Sequence, residues 1–152
     1  FSTLHTNDAP SSITRLQNMG TPNYLISAAL TLIMAQRLAR RNCSECREKD
    51  ENVTPKLLNS IGFLPEQSAR AKIYKGKGCD QCSNTGYKGR MGVYEILEID
   101  KELKQGILSD LSQGELNGIA KKNGFRTMQE MGHDILLSGD LSYSEFVRVL
   151  QS

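Results

Sequence analysis

The stretches Cys43-Ser-Glu-Cys46 and Cys79-Asp-Gln-Cys82 decide the local fold of this chain. Each places two cysteines three positions apart, a spacing that turns both sulfurs toward one point, and two such pairs supply the four thiolates of a tetrahedral zinc site. Thirty-two residues separate the pairs, more than in a compact zinc ribbon, so we expect an insertion between them. These are the only cysteines in the sequence, and they predict a structural zinc without an open coordination position.

Two other uses of these cysteines are weighed against zinc. Disulfide bonds are typical of secreted domains, whereas this sequence has no recognisable signal peptide and an ordinary globular composition. A redox CxxC is expected between a strand and a helix, and it needs one pair rather than two. Both alternatives are therefore less favoured than a metal.

The composition bounds the class of protein. At 152 residues, with 38% hydrophobic and 24% charged residues, the chain fits one domain or one core with a small satellite. The net charge of +2 argues neither for nor against a polyanionic partner. The longest apolar run, Leu25 to Ala35, is too short to span a bilayer, so no direct membrane insertion is expected.

The N-terminal third predicts a strand and two helices. Phe1 to Leu4 is expected to be the buried end of a strand, which suggests that the chain is the C-terminal piece of something longer. Ser11 to Met19 is expected to be a short helix that Gly20 ends. Thr21 and Pro22 provide a second start, and the apolar run that follows predicts a buried helix to about Arg41.

The rest of the chain predicts short elements and then helices. Between the cysteine pairs we expect helices that begin at Pro55 and Pro65 and a strand over 73–75. A further strand is expected over 91–99. The remaining segment is predicted to be helical, because capping-box pairs precede its apolar stripes: Ser112 with Glu115, Thr127 with Glu130, and Ser142 with Glu145.

Three segments resemble the secretion ATPase superfamily, the hexameric motors of type II secretion and type IV pilus assembly. The segment Ser2 to Gly20, with Ser-Thr-Leu-His-Thr-Asn-Asp-Ala-Pro at its start, resembles the histidine box of that family. Ala35-Gln-Arg-Leu-Ala-Arg-Arg41, and the stretch from Gly78-Cys-Asp-Gln-Cys82 to Gly92-Val-Tyr-Glu95, are similar to it as well. The cysteine lobe resembles the extension branch, and the second cysteine pair looks more like a pilus assembly ATPase than a type II secretion ATPase.

This resemblance implies an α/β fold, namely the C-terminal part of a RecA-like ATPase core with an inserted tetracysteine zinc lobe and a helical C-terminal tail. It places the end of the core in residues 1–42, the zinc lobe in 43–92, and a strand and helical subdomain in 93–152. The family's phosphate-binding loop, GxxxxGK[ST], does not occur in this sequence. The chain alone is therefore expected to be inactive.

The resemblance also implies the activity and setting of the full-length parent. It would hydrolyse ATP with Mg²⁺ as a cytoplasmic homo-hexamer, peripheral at the inner face of the bacterial inner membrane. Its partners would be the inner-membrane platform and accessory proteins of the pilus or secretion machine, with no nucleic acid.

The candidate site residues fall at the end of the expected first strand and near the end of the long helix. The resemblance implies that His5 is catalytic and that Thr6, Asn7 and Arg37 bind the nucleotide. Polar side chains at the carboxyl end of a strand suit such a role, although a turn favoured by Asn7 with His5 buried beside it is the simpler alternative. Arg15 is a weaker candidate, on a short helix, and His133 is expected at the surface.

A second function remains open beside the motor. Four thiolates and the arginines at 37, 40, 41 and 47 are compatible with a non-enzymatic zinc-ribbon module that binds nucleic acid or protein. The modest net charge and the lack of aromatic residues among the basic ones count against nucleic acid.

Overall fold

The computed structural model describes residues 2–4, 6 and 8–151, and it is a mixed α/β structure with small sheets. Short 3₁₀ turns occupy Ser44–Cys46 and Asp80–Cys82. The α-helices that it describes are α1 (Ala9–Asn18), α2 (Asn23–Ala29), α3 (Pro55–Ser60), α4 (Pro65–Arg70), α5 (Lys101–Leu108), α6 (Gln113–Lys122), α7 (Met128–Ser138) and α8 (Tyr143–Leu150).

The described strands form two small sheets. The long strands β1 (Leu32–Asn42) and β4 (Tyr87–Glu98) pair with each other. The short strands β2 (Arg47–Lys49) and β3 (Tyr74–Gly76) pair antiparallel, with Arg47 opposite Gly76 and Lys49 opposite Tyr74. The second pair closes the insertion between the two cysteine pairs.

The chain divides into two compact units. Unit 1 consists of Phe1–Gln36 and Tyr94–Met128, and unit 2 consists of Arg37–Val93 and Gln129–Ser152. The division falls inside β1 and β4, whereas the resemblance places domain ends at residues 42 and 92. Those domain boundaries stay a prediction about the longer protein.

Unit 1 is held by an apolar core between its helices and the end of β4. Helix α1 begins because Asp8 caps it: its carboxylate accepts a hydrogen bond from the Ser11 amide at 2.7 Å. The core consists of these buried residues: Ala9, Ile13, Ile26, Leu97, Ile99, Leu103, Ile107, Leu116 and Ala120. Each buried Leu or Ile stabilises the unit by about 1.5–3 kcal/mol, so this core can keep unit 1 folded without a metal.

The expected helix from Thr21 to Arg41 is wrong in its second half. Helix α2 ends at Ala29, Leu30 is already extended, and Leu32–Asn42 is strand β1. Exposed and more buried residues alternate along the first part of β1, as on a sheet with one covered face. Pairing with β4 outweighs the helical preference of the Leu, Met, Ala and Gln residues in this segment.

Two smaller expectations are also corrected. Ser2 to Leu4 are exposed and without regular secondary structure rather than a buried strand end, and Phe1 lies outside the described residues. The expectation that His133 is a surface residue is wrong, because its half-buried ring stacks against Phe146 and contacts Phe63, with ring centroids 5.3 and 4.3 Å apart.

The other expected elements are confirmed. Helix α1 overlaps the predicted helix over 11–19, α3 and α4 begin at Pro55 and Pro65, and β4 contains most of the predicted strand over 91–99. Ser112 and Glu115 form the predicted capping box of α6. At α8 the Ser142 hydroxyl caps the helix, but the predicted box is not completed, because the Glu145 carboxylate accepts from Arg40 and Arg148.

In unit 2, a buried carboxylate joins β1 to α8. Glu145 is fully buried; its carboxylate accepts hydrogen bonds from the Arg40 amide at 2.7 Å, from the Arg40 guanidinium at 2.7 and 3.0 Å, and from Arg148. Burial opposes ionisation, but the two guanidinium groups and the amide outweigh it and lower the pKa of Glu145 to about 2. The carboxylate therefore stays charged inside the fold.

Substitution of Glu145 by Gln is expected to lower the free energy of unfolding at pH 7 by about 2–3 kcal/mol, less than for a fully buried pair because both arginines are half exposed. Since the folded pKa lies below the ordinary value, this stabilisation is present above about pH 4.5 and is lost as the pH falls toward 2. Denaturant unfolding from pH 7 to 2.5 measures it. Glu51→Gln, which removes an exposed pair with Lys49, is the control and should cost under about 1 kcal/mol. A Glu145→Gln deficit that is the same at every pH would contradict the prediction.

Candidate metal centre and histidine-box segment

The four cysteines lie on two tight turns of unit 2. Cys43 follows the end of β1, and the 3₁₀ turn Ser44–Cys46 carries Cys46 back beside it. Cys79 and the 3₁₀ turn Asp80–Cys82 repeat this arrangement after β3. The paired strands β2 and β3 bring the two turns together across the insertion.

The four sulfur atoms form a compact cluster. All lie within 4.8 Å of one another. Cys43 Sγ is 3.9 Å from Cys79 Sγ, Cys46 Sγ is 3.9 Å from Cys82 Sγ, and Cys79 Sγ is 3.8 Å from Cys82 Sγ. A tetrahedron with Zn–S bonds of about 2.3 Å has edges of about 3.8 Å, so these residues fit a four-thiolate metal site.

The same distances argue against disulfide bonds. A disulfide requires sulfurs about 2.05 Å apart, and all four cysteines are free. The cluster could hold a metal ion, as the spacing of the two pairs predicts.

Backbone amides of the turns point at the sulfurs. Gly78 N donates to Cys46 Sγ at 3.3 Å, while Cys79 N and Gly86 N donate to Cys82 Sγ at 3.2 and 3.3 Å. Without a metal, burial raises the pKa of Cys46 to about 12, whereas at Cys82 the two amides and the neighbouring thiols outweigh burial and lower the pKa to about 6. Such amide donors favour the thiolate, which is the form that binds metal.

Two glycines allow the backbone on either side of the second cysteine turn to come into contact: Gly76 ends β3, and Gly86 directly precedes β4. A Cβ on Gly76 would lie 1.9 Å from the Gly86 carbonyl oxygen, and a Cβ on Gly86 would lie 2.5 Å from the Gly76 oxygen. Gly86 also has a φ of +77°, and its oxygen accepts a hydrogen bond from the Cys43 amide at 2.9 Å. The close approach thus closes the backbone around the second cysteine pair, and the hydrogen bond to Cys43 connects it to the first.

Substitution of Gly76 by Ala should push the end of β3 away from the backbone of Gly86 and weaken the metal site. We expect metal affinity to fall at least tenfold, because backbone rather than a flexible side chain must move. Competition with a chromophoric chelator measures this affinity. Gly118→Ala on α6, where a Cβ meets nothing within 4 Å, is the matched control, and equal affinities in the two variants would contradict the prediction.

The cysteine turns are tied to the C-terminal helices of unit 2. The buried Asn42, just before Cys43, donates its side-chain amide to the carbonyls of Gly139 at 2.9 Å and Tyr74 at 3.1 Å. Tyr87, just after Gly86, shares a hydrogen bond with Ser142 at 2.9 Å. Hydrogen bonds therefore join the metal site to the C-terminal part of unit 2.

The histidine-box segment lies in unit 1 and leads into α1. The Thr6 hydroxyl is 2.8 Å from the Ser12 hydroxyl, and Asp8 caps the helix. His5 and Asn7 lie outside the described residues, so their predicted roles remain predictions. The described residues fix this segment at its helical end.

Arg37 lies on strand β1 and not on a helix. Its guanidinium donates to the Val149 carbonyl at the C-terminal end of α8, where a cation is favoured. Arg15 is exposed on α1. The described hydrogen bond of Arg37 therefore lies within unit 2, at the C-terminal end of α8.

Comparisons with known proteins place the chain in a family. The family described as "Type II/IV secretion system protein" matches residues 1–148. This chain belongs to that family.

Relatives within the secretion system family include two named "Type IV pilus assembly ATPase PilB". One, from Thermus thermophilus, is 40% identical over 95% of this chain, and one from Myxococcus xanthus is 38% identical over 97%. "Type II secretion system protein HxcR" from Pseudomonas aeruginosa is 32% identical over 98%. The matches cover 16%, 26% and 28% of these relatives, so the chain spans between about a sixth and just over a quarter of their length.

Among the described residues, no helix is long and apolar enough to cross a membrane.

Sequence reasoning missed one buried carboxyl group in unit 1. Glu95 is 3% exposed, and its two carboxylate oxygens accept hydrogen bonds from the amides of Ala9 at 2.6 Å and Met128 at 2.7 Å. Its place within Gly92-Val-Tyr-Glu95 was a sign of the family, but its partners lie 86 and 33 positions away in the sequence.

Proposed function

We propose that this chain is the C-terminal part of a hexameric motor ATPase that powers type IV pilus assembly or type II secretion. The match of the secretion system family to residues 1–148 carries the proposal. Residues 1–42 would end a RecA-like core, 43–92 would form the zinc lobe, and 93–152 would form the helical tail. The relatives named as ATPases support ATP hydrolysis by the longer protein.

Pilus assembly is favoured over type II secretion. The pilus assembly relatives compared are 38–40% identical to this chain, and the type II secretion relatives are 32–34% identical. This difference agrees with the resemblance at the second cysteine pair.

Zinc is the metal that we propose for the cysteine cluster. Four soft thiolate ligands with near-tetrahedral spacing suit zinc, and a closed set of four protein ligands suits a structural rather than a catalytic role. Its contribution would be to hold the two turns of unit 2 together.

His5 is proposed as the catalytic residue, with Thr6, Asn7 and Arg37 as nucleotide-binding residues. ATP hydrolysis needs groups that position the terminal phosphate and the attacking water. The bond of Thr6 to Ser12 and the cap of α1 by Asp8 support this proposal for the described part of the segment. Arg37 holds the end of α8 in the described contacts, so its nucleotide role would require a second interaction in the hexamer.

An exposed apolar face of unit 1 supports the proposal that more of the core lies elsewhere in the parent. Leu32, Met34, Tyr94 and Ile96 are 41–58% exposed at positions that alternate with covered ones along β1 and β4. Apolar faces of this kind are usually covered by protein. We propose that the remainder of the parent's RecA-like core packs here.

The setting follows from the same proposal. The parent would be cytoplasmic and peripheral at the inner face of the inner membrane, and it would bind the platform and accessory proteins of its machine. Neither nucleic acid binding nor direct membrane insertion is part of this function.

A comparison of the parent with this chain tests the function. We expect Mg²⁺-dependent ATP hydrolysis by the purified full-length parent and none by the 152-residue chain, whose sequence contains no GxxxxGK[ST] loop. Phosphate release at saturating ATP measures both. An inactive, correctly assembled parent that binds nucleic acid with a steep salt dependence would instead favour the zinc-ribbon alternative.

A further inference from the structure

The N-terminus of α1 has an unusual dependence on one distant side chain. The first amides of a helix have no partner within it and need one from outside. Pro10 has no amide hydrogen, and the Ser11 amide is satisfied by Asp8. The remaining amide, that of Ala9, donates to Glu95 Oε1 at 2.6 Å.

Water cannot easily replace Glu95 at this position. Ala9 is fully buried and Glu95 is 3% exposed. The second oxygen of the same carboxylate accepts from Met128 N at 2.7 Å, at the first residue of α7. A carboxylate has two acceptor oxygens in fixed geometry, and the N-terminus of a helix favours a negative charge. Ala9 and Met128 lie at the N-termini of two helices, α1 and α7. Glu95 is thus a two-point anchor within unit 1.

This anchor acts on the segment that holds the candidate nucleotide residues. Ala9 follows Asp8 directly, and only three positions separate it from His5. Thr6 and Asp8 bond to Ser12 and Ser11 of α1, so a shift of the start of this helix would also move those two residues.

We infer that Glu95 is a positioning residue for the histidine box: it holds the start of α1 through the Ala9 amide, and that helix bonds Thr6 and Asp8 of the box. This role rests on the proposed function. Glu95 does not contact the nucleotide in this inference; it acts through the helix.

The first experiment uses the 152-residue chain and does not depend on ATP hydrolysis. Glu95→Gln keeps one acceptor oxygen but replaces the other with an amide donor, so only one of the two helix amides can remain bonded. We expect amide exchange at Ala9, Met128 or both to accelerate at least tenfold. Glu98→Gln, an exposed position on the same strand, is the control and should leave exchange unchanged. Unchanged exchange at both amides in Glu95→Gln would overturn the anchor.

The second experiment uses the full-length parent. Glu95→Gln should lower kcat on the order of 10-fold to 100-fold, because small misplacements of positioned groups cost that much, while hexamer content and ATP affinity stay within about twofold. In a His5→Ala background the same substitution should have little further effect, since both changes disable one unit. Equal fold losses in both backgrounds would overturn the inference in favour of a purely structural role.

The two experiments separate failure of the inference from failure of the proposed function. Wild-type turnover in His5→Ala would overturn the catalytic role of His5, and with it the effect of Glu95 on catalysis. Accelerated exchange at Ala9 would still establish the anchor. Unchanged exchange combined with an impaired His5→Ala variant would overturn only the inference about Glu95.

Discussion

Removal of the proposed zinc is expected to unfold the cysteine turns of unit 2. A structural zinc can contribute on the order of 10 kcal/mol, which is comparable to the whole stability of a small domain, about 5–15 kcal/mol. Without the metal, the four sulfurs, two of them on the buried Cys43 and Cys82, lie within 4.8 Å of one another and have no common partner. The turns and the close contact of Gly76 with Gly86 should then separate.

Metal analysis and hydrogen exchange together test this expectation. Protein purified without added zinc should contain about one zinc per chain. After chelation, the amides of Gly78, Cys79 and Gly86 should lose protection, because they donate to cysteine sulfurs. The buried core of unit 1 should keep its protection and serves as the internal control. Unchanged protection at the three amides would show that the fold does not depend on the metal.

If the zinc lobe over 43–92 were independent of the segment 93–152, chelation would leave the C-terminal helices unchanged. The structure changes this expectation. Asn42 and Tyr87 connect the cysteine turns to Gly139 and Ser142, so partial loss of protection is expected at the start of α8. The helices of unit 1 should not show it.

Substitution of His5 by Ala in the full-length parent is expected to lower kcat on the order of 10-fold to 1,000-fold. This is the range for loss of one positioned donor or acid–base group. Interactions that are made mainly in the transition state change kcat more than ATP affinity. ATP binding should therefore stay near normal.

Activity, hexamer content and thermal stability must be measured on one preparation of the His5→Ala parent. Asn18→Ala, at the exposed end of α1, is a control that should keep full activity. If His5 only packs beside its neighbours, the variant would lose stability and keep its activity per folded hexamer. A stable hexamer with normal turnover would exclude a catalytic role.

Features specified by neighbouring residues could be predicted from the sequence. The cysteine cluster follows from two short spacings, and α1, α3, α4 and α6 follow from caps and prolines. Helix α5 begins at a comparable signal, Asp100 accepting from the Leu103 amide at 2.9 Å, which could have been recognised. Local signals of this kind need no knowledge of the fold.

Features specified by distant residues could not be predicted in the same way. Strand β1 contains good helix formers and becomes a strand through its pairing with β4. In the sequence, Glu95 is only one residue of a family motif. Its hydrogen bonds with the amides of Ala9 and Met128 are known only from the structure. The partial burial of His133 could not be predicted from its neighbours in the sequence, because the rings that contact it, Phe63 and Phe146, come from other parts of the chain.

The hairpin stem of β2 and β3 has a consequence for how this family can diverge. The paired strands β2 and β3, together with the cysteine turns, bring the two ends of the insertion together. The entropy cost of closing such a loop grows only with the logarithm of the loop length, about 0.6 kcal/mol for each doubling. Changes in length are therefore cheap between Asp50 and Ile73. The buried Leu58, Ile61 and Phe63 resist change, and the Ile61 carbonyl accepts hydrogen bonds from Gln129 at 2.9 Å and His133 at 2.8 Å. Insertions on either side of Ile61 should be tolerated during evolution more readily than changes in the two residues that hold it.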